Sequence, residues 1–146
     1  MENYEPARNL MQQILKTRMA FRQTLQRVLK RNNIDMTFEM LQILSSLWHQ
    51  QGISHQFLAQ KTSKDKACLT NLMANLEKKG WIVRRENPSD RRNRLVYLTS
   101  EGERISALVR PMVYDVYVQV TDIMGIDEIK ESILKLKKLD EIFDRL

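Results

Sequence analysis

Between Glu5 and Arg31, apolar side chains recur at Leu10, Met11, Ile14, Leu15, Phe21, Leu25, Val28 and Leu29, a one-sided stripe at the period of an α-helix. Pro6 fits the first turn of such a helix. At 1.5 Å per residue a helix of about 25 residues is about 38 Å long. A globule of 146 residues does not need so long an element to wrap itself. Something besides the chain's own core must cover part of the stripe.

Several functions are excluded early. Hydrophobic residues make up 42% of the chain and charged residues 29%, a balance that folds as one domain's worth of protein. No apolar run approaches the roughly 18 residues of a membrane span, and the amino terminus MENYEPARNL lacks the apolar stretch of a secretory signal. The expectation is a cytoplasmic protein of bacterial type with no membrane partner. The single cysteine, Cys68, excludes an internal disulfide, and two histidines, His49 and His55, leave too few ligands for a transition-metal site. Nucleophile elbow, glycine-rich phosphate loop and paired carboxylates are all missing, so neither an enzyme nor a cofactor is expected.

Four glycines and three prolines leave room for long helices. Thr37 is a plausible N-cap for a second helix carrying Phe38, Met40, Leu41, Ile43, Leu44, Leu47 and Trp48 and ending near Gly52. Ser54 starts a short third helix through Gln60, with Phe57, Leu58 and Ala59 inside. Thr62 and Ser63 make a turn, Ser63 caps a fourth helix with Asp65 in its first turn, and Gly80 stops it after Lys78 and Lys79. Two β-rich runs, Trp81 to Glu86 and Leu95 to Thr99, flank the polar loop 87–94, a hairpin whose tip exceeds the usual two to five residues. Ser100 with Glu103 reads as a capping box for a helix bearing Ile105, Leu108, Val109, Met112, Val113, Val116, Val120 and Ile123, with a kink at Pro111. After Gly125 a last amphipathic helix carries Ile126, Ile129, Ile133, Leu136, Leu139, Ile142, Phe143 and Leu146. The fold class is mainly α with a small β-hairpin (α+β), a winged helix-turn-helix.

Lys and Arg number 24 against 18 Asp and Glu, and the excess is local. Residues 1–32 hold seven basic and two acidic side chains, and so do residues 78–94. In a winged helix-turn-helix the helix after the turn enters the major groove and the hairpin tip reaches the next minor groove. At 100° per residue Leu69, Leu72, Met73 and Leu76 share one face of the fourth helix, while Ala67, Thr70, Asn71, Ala74, Asn75 and Lys78 share the other. The residues of that second face are small, neutral or polar, as base edges require, and Asn71 has the amide that bonds adenine N6 and N7 together. Lys64 and Lys66 complete the helix set. On the wing the candidates are Arg85, Arg91, Arg92 and Arg94, with Asp90 set among them to pair with one and fix its direction. A polar solvent face and a charged flexible turn would show the same residues.

The run from Asp90 through Arg92, Leu98 and Thr99 to Gly102 resembles the wing signature of the MarR family of bacterial transcriptional regulators, D-x-R-x-x-x-x-x-L-T-x-x-G. Leu76, Glu77, Lys78, Lys79, Gly80 is similar to that family's L-E-x-x-G close of the recognition helix. The resemblance implies a homodimer whose first and last helices intertwine, binding double-stranded DNA at a pseudo-palindromic operator, most often as a repressor. It makes Arg92 the arginine inserted in the minor groove, Asp90 its orienting partner, and Thr99 and Gly102 structural. Residues 1–32 and 100–146 are then dimerisation helices around a DNA-binding region of residues 33–99, in one structural unit. A two-fold dimer would also cover the surplus stripes and set two reading helices one turn of DNA apart.

The resemblance further implies release by a small-molecule effector, often an aromatic acid. Arg18, Arg22, Trp48, His49, Tyr114 and Tyr117 are conceivable lining residues, with no effector site assigned. The first helix lacks the reactive cysteine of peroxide-sensing relatives, and Cys68 is read as a small buried hydrophobe. A winged-helix protein-interaction module or a non-specific DNA binder are the rival readings. Neither requires the polar reading face and the arginine-rich tip together.

Overall fold

A computed structural model describes residues 3–62 and 64–146. In chain order the elements are α1 (Glu5–Arg31), α2 (Phe38–His49), β1 (Ile53–Ser54), α3 (His55–Thr62), α4 (Lys66–Lys78), β2 (Ile82–Arg85), β3 (Leu95–Leu98), α5 (Ser100–Met124) and α6 (Ile126–Asp144). The chain divides into two compact units, 1–110 and 111–146, at Pro111. α5 runs unbroken through that proline. The ring removes the N–H that would bond the Ala107 carbonyl.

Local chemistry sets most of the boundaries. Thr37 caps α2, its Oγ1 accepting from the Met40 N–H at 3.2 Å, and Ser54 Oγ accepts from the Phe57 N–H at 3.0 Å. α1 ends on Asn33, which takes a φ of 57°. Its N–H bonds the Lys30 carbonyl at 3.1 Å and that of Ile34 bonds Leu29 at 2.9 Å, pairing carbonyls the helix end would strand. α4 closes the same way on Gly80, at a φ of 76°, with Gly80 N to Glu77 O at 2.9 Å and Trp81 N to Leu76 O at 3.1 Å.

Two caps differ from expectation. Asp65, not a residue of the first turn, is the N-cap of α4, its Oδ1 accepting from the Cys68 N–H at 2.7 Å, and Ser63 lies outside the described residues. A carboxylate there also answers the positive end of the helix. At α5 the expected Ser100–Glu103 box gives way to Thr99. The Thr99 hydroxyl accepts from the Gly102 N–H at 3.0 Å and donates to the Gly80 carbonyl, while the Glu103 carboxylate accepts from Gln51 Nε2 at 3.1 Å. Thr99 wins because one hydroxyl satisfies two backbone groups from different elements.

The expected two-stranded hairpin is a three-stranded antiparallel sheet of order β1-β3-β2. Ile53 lies opposite Val96 and Ser54 opposite Leu95, while Ile82 pairs with Leu98 and Arg85 with Leu95. A two-residue strand carries no alternation that a sequence can display. The Gln51 amide extends the attachment, accepting from the Leu98 N–H at 3.0 Å.

The core of residues 1–110 is built from Leu25 and Leu29 of α1, Ile43, Leu44 and Leu47 of α2, Leu58 of α3, Leu69, Met73 and Leu76 of α4, and Ile53, Ile82 and Val96 of the sheet. Ile105 and Val109 complete it from α5. Phe57, expected inside, is 45% exposed, because an eight-residue helix turns only one narrow face inward. Arg22 anchors α1 to α2 through Glu39 at 2.8 Å. Burial works to raise the Glu39 carboxyl's pKa, but a backbone hydrogen bond and Arg22 outweigh it and hold it below its ordinary value.

The stripe of α1 is covered only at its carboxyl end: Leu10, Leu15 and Met19 are 44%, 65% and 61% exposed. In residues 111–146, α6 has no buried residue, and Ile123, Leu134 and Phe143 lie open.

One glycine has a strict steric reason. A Cβ on Gly102 would lie 1.9 Å from the Trp81 carbonyl oxygen, which is backbone and cannot swing aside. Gly102→Ala should therefore lower stability by about 2 kcal/mol or more, read as a fall in the urea midpoint. Helix propensity alone predicts a gain of up to about 1 kcal/mol, so a raised midpoint would refute the close approach.

Candidate nucleic-acid interface

α4 turns Leu69, Leu72, Met73 and Leu76 into the core and leaves Lys66, Ala67, Thr70, Asn71 and Asn75 exposed. Among the described residues the amides of Asn71 and Asn75 have no hydrogen-bond partner, so both keep donor and acceptor. Thr70 differs: its hydroxyl donates to the Lys66 carbonyl at 2.8 Å, which leaves it an acceptor. Lys64 is half-buried ahead of the helix, where its charge acts on Glu39. Cys68 is exposed on the same surface, contrary to the buried role expected for it. It follows the first helical residues, where a turn is not yet packed against the core.

The wing tip runs from Glu86 to Arg94 between β2 and β3. Asn87 Oδ1 accepts from the Ser89 N–H at 3.0 Å and Asp90 Oδ1 from the Arg92 N–H at 3.1 Å, so short side chains hold the loop by mimicking backbone turns. Asp90 thus fixes the backbone of Arg92; among the described residues its carboxylate pairs with no guanidinium. Arg91 instead lies 3.7 Å from Glu86. Arg92 and Arg94 are exposed, and among the described residues neither has an ion pair. Arg85 lies over the Tyr97 ring at 5.4 Å, stiffening the base of the wing.

α4 and the wing face one another across a groove of about 720 Å³. Lys66 and Thr70 line it from α4, and Arg84 from β2. The tip supplies Asp90, Arg91, Arg92 and Arg94, and α3 supplies His55, Gln56 and Gln60. Of the candidate residues, the groove gathers Lys66, Thr70 and the four tip residues; Lys64, Ala67, Asn71, Asn75 and Arg85 lie outside its lining. Arg84, His55, Gln56 and Gln60 are not candidates on sequence grounds. No local pattern marks them, since the groove exists only once β1 is paired and α3 is laid beside β3. Arg84 ion-pairs with Glu77, which ties the last turn of α4 to the wing.

The sequence profile of the MarR family matches residues 36–93, from the start of α2 to the wing tip. Over 107 residues the chain is 31% identical to the multiple antibiotic resistance protein MarR of Escherichia coli K12, covering 73% of this chain and 74% of MarR. The chain belongs to the MarR family. It is also 32% identical over 78 residues to the transcriptional regulator HosA of E. coli O111:H-, and there the match spans only 58% of HosA's length. Among solved structures, a mutant E. coli MarR complexed with operator DNA aligns with a TM-score of 0.80 at 26% identity, over 95% of this chain and 99% of that one. NadR in complex with 4-hydroxyphenylacetate aligns with a TM-score of 0.71 at 26% identity, over 89% and 88%. The fold is the winged helix of MarR proteins. Thr99 and Gly102, which lie beyond the matched residues, have the structural roles described above.

No helix among the described residues is long and apolar enough to cross a membrane, and no three His, Cys, Asp or Glu side chains among them cluster as a metal site would require.

The cap of α4 is testable without DNA. Asp65→Ala should cost about 1 kcal/mol of unfolding free energy while Asp65→Asn keeps most of it. Equal urea midpoints for Asp65→Ala and the parent would show that the bond to Cys68 N–H does not hold the helix.

Proposed function

We propose that this protein is a sequence-specific, DNA-binding transcriptional regulator, a repressor, that grips a pseudo-palindromic operator as a homodimer. The observation that carries it is a polar face on α4 whose two asparagine amides are unspent among the described residues, set beside a wing tip whose Arg92 and Arg94 have no ion pair among them. Short amides read base edges, whereas unpaired arginines suit a narrow, electronegative minor groove. The likeness to a MarR structure complexed with operator DNA supports the same use of the same elements.

The open apolar positions of α1, and separately those of α5 and α6, support dimerisation. On this reading residues 33–99 read DNA while residues 1–32 and 100–146 join the protomers. The protein works in the cytoplasm, where its DNA lies. NadR's complex with 4-hydroxyphenylacetate supports control by a small molecule here as well. Of the side chains named as conceivable effector ligands, Arg22 is engaged by Glu39 and Trp48 lies under Arg110 at 5.2 Å.

Selection of bound duplexes from a random DNA pool tests the proposal. The expected product is a two-fold motif with half-sites about one helical turn apart. Retention without a motif, or no retention, would contradict it. On the selected duplex, Asn71→Ala should relax preference at one base pair per half-site, for about 1 to 3 kcal/mol. Arg92→Ala should instead weaken binding to every sequence and reduce the salt slope by about one for each phosphate it leaves without a cation. Identical behaviour of the two variants would refute the division between reader and gripper.

A further inference from the structure

Resting on the DNA-binding reading, a consequence follows for the groove between α4 and the wing. If α4 lies in a major groove and the tip in the adjacent minor groove, the phosphodiester strand that separates those grooves must cross between them. The groove is the space available to that strand, and its lining charge fits: Lys66 from α4, Arg84 from β2, and Arg91, Arg92 and Arg94 from the tip, against Asp90 alone. Glu77 is already engaged with Arg84, and α3 contributes no fixed charge to the lining, only His55, Gln56, Ala59 and Gln60.

Among these groups His55 is the one whose charge is not fixed. It sits at the junction of β1 and α3, where its N–H bonds the Arg94 carbonyl at 3.3 Å and so ties it to the root of the wing. Its Nε2 and the Nε of Arg84 are both closed off from solvent, and among the described residues neither has a hydrogen-bond partner. Two buried nitrogens without acceptors, in residues lining one cationic groove, are a costly arrangement in the free protein. A phosphodiester strand in the groove supplies the negative charge that this cationic lining lacks, without contact to either closed-off nitrogen.

We propose that His55 is the proton-linked group of this groove: it takes up a proton when a phosphodiester strand fills the groove, so the protein holds DNA more tightly as the pH falls. In the free protein, burial and then the charges of Arg84 and Lys66 hold its pKa below the ordinary histidine value. A phosphate strand opposes those two cations and favours the imidazolium. The sign follows. Above the bound-state pKa the imidazole is neutral in both states and affinity does not change with pH. Between the bound and free pKa values binding takes up a proton, and affinity rises by up to about tenfold per pH unit for each protomer engaged. Below the free value the gain is complete.

The test is fluorescence anisotropy with a labelled mixed-sequence duplex at constant ionic strength, from about pH 8 to about pH 5.5, the range in which histidine titrates. The wild-type protein should tighten across this range, His55→Gln should be flat, and His49→Gln should follow the wild type, since His49 is not in the groove lining. Arg92→Ala should bind more weakly yet keep the pH slope. Independently of any variant, the His55 ring resonances of the wild-type protein should titrate at a higher pH with DNA than without it. Equal slopes for wild type and His55→Gln, or an unmoved His55 titration, overturn the proposal while leaving DNA binding intact. No binding by wild type at any pH would overturn the regulatory reading itself.

Discussion

One junction, no larger than a turn of helix, fixes how α4 and the wing stand to each other. The Thr99 hydroxyl donates to the carbonyl of Gly80 at the end of α4 and accepts from the Gly102 N–H at the start of α5, while the Thr99 N–H bonds the Trp81 carbonyl at 3.0 Å. Gly102 allows that carbonyl to approach where any Cβ would collide. α4, the entry to β2, the exit from β3 and the first turn of α5 are thereby joined through backbone groups, with few rotatable bonds to lose order. The Glu77 to Arg84 ion pair adds a side-chain strut between the same helix and strand. On the proposed function, a reading helix and a wing that meet two grooves of one duplex need a joint of this stiffness.

What is legible in the sequence is what local chemistry decides. Thr37, Ser54 and Gly80 act where their neighbours three or four residues away dictate, because a cap or a left-handed stop depends on nothing more distant. The two faces of α4 follow from helical period alone, and the structure separates Leu69, Leu72, Met73 and Leu76 from Thr70, Asn71 and Asn75 as that period requires. The motif around Asp90, Arg92, Thr99 and Gly102 is where the family resemblance is legible.

What escapes the sequence is decided by tertiary packing. Asp65 and Thr99 compete with Ser neighbours of similar propensity, and Thr99 prevails through a bond to Gly80, nineteen residues earlier. β1 is too short for a pattern and exists because β3 offers it an edge. Phe57 and Cys68 look apolar enough to bury, but α3 and the first turn of α4 turn Leu58 and Leu69 to the core instead. The groove lining is invisible for the same reason: His55 and Arg84 lie 29 residues apart in sequence and meet only across the folded wing. Asp90 shows a subtler shift. The expected charge pair with an arginine is replaced by an acceptor for the Arg92 N–H, which aims the loop while leaving the guanidinium's charge unspent.

Hydroxyl-radical footprinting of the protein on its selected duplex tests most directly whether α4 and the wing act as one DNA-facing surface. The account predicts, in each half-site, protection of minor-groove sugars beside the contacted major groove, with Arg92→Ala removing the minor-groove protection and sparing the rest. Protection confined to the major-groove region, or a footprint that Arg92→Ala leaves unchanged, would contradict it.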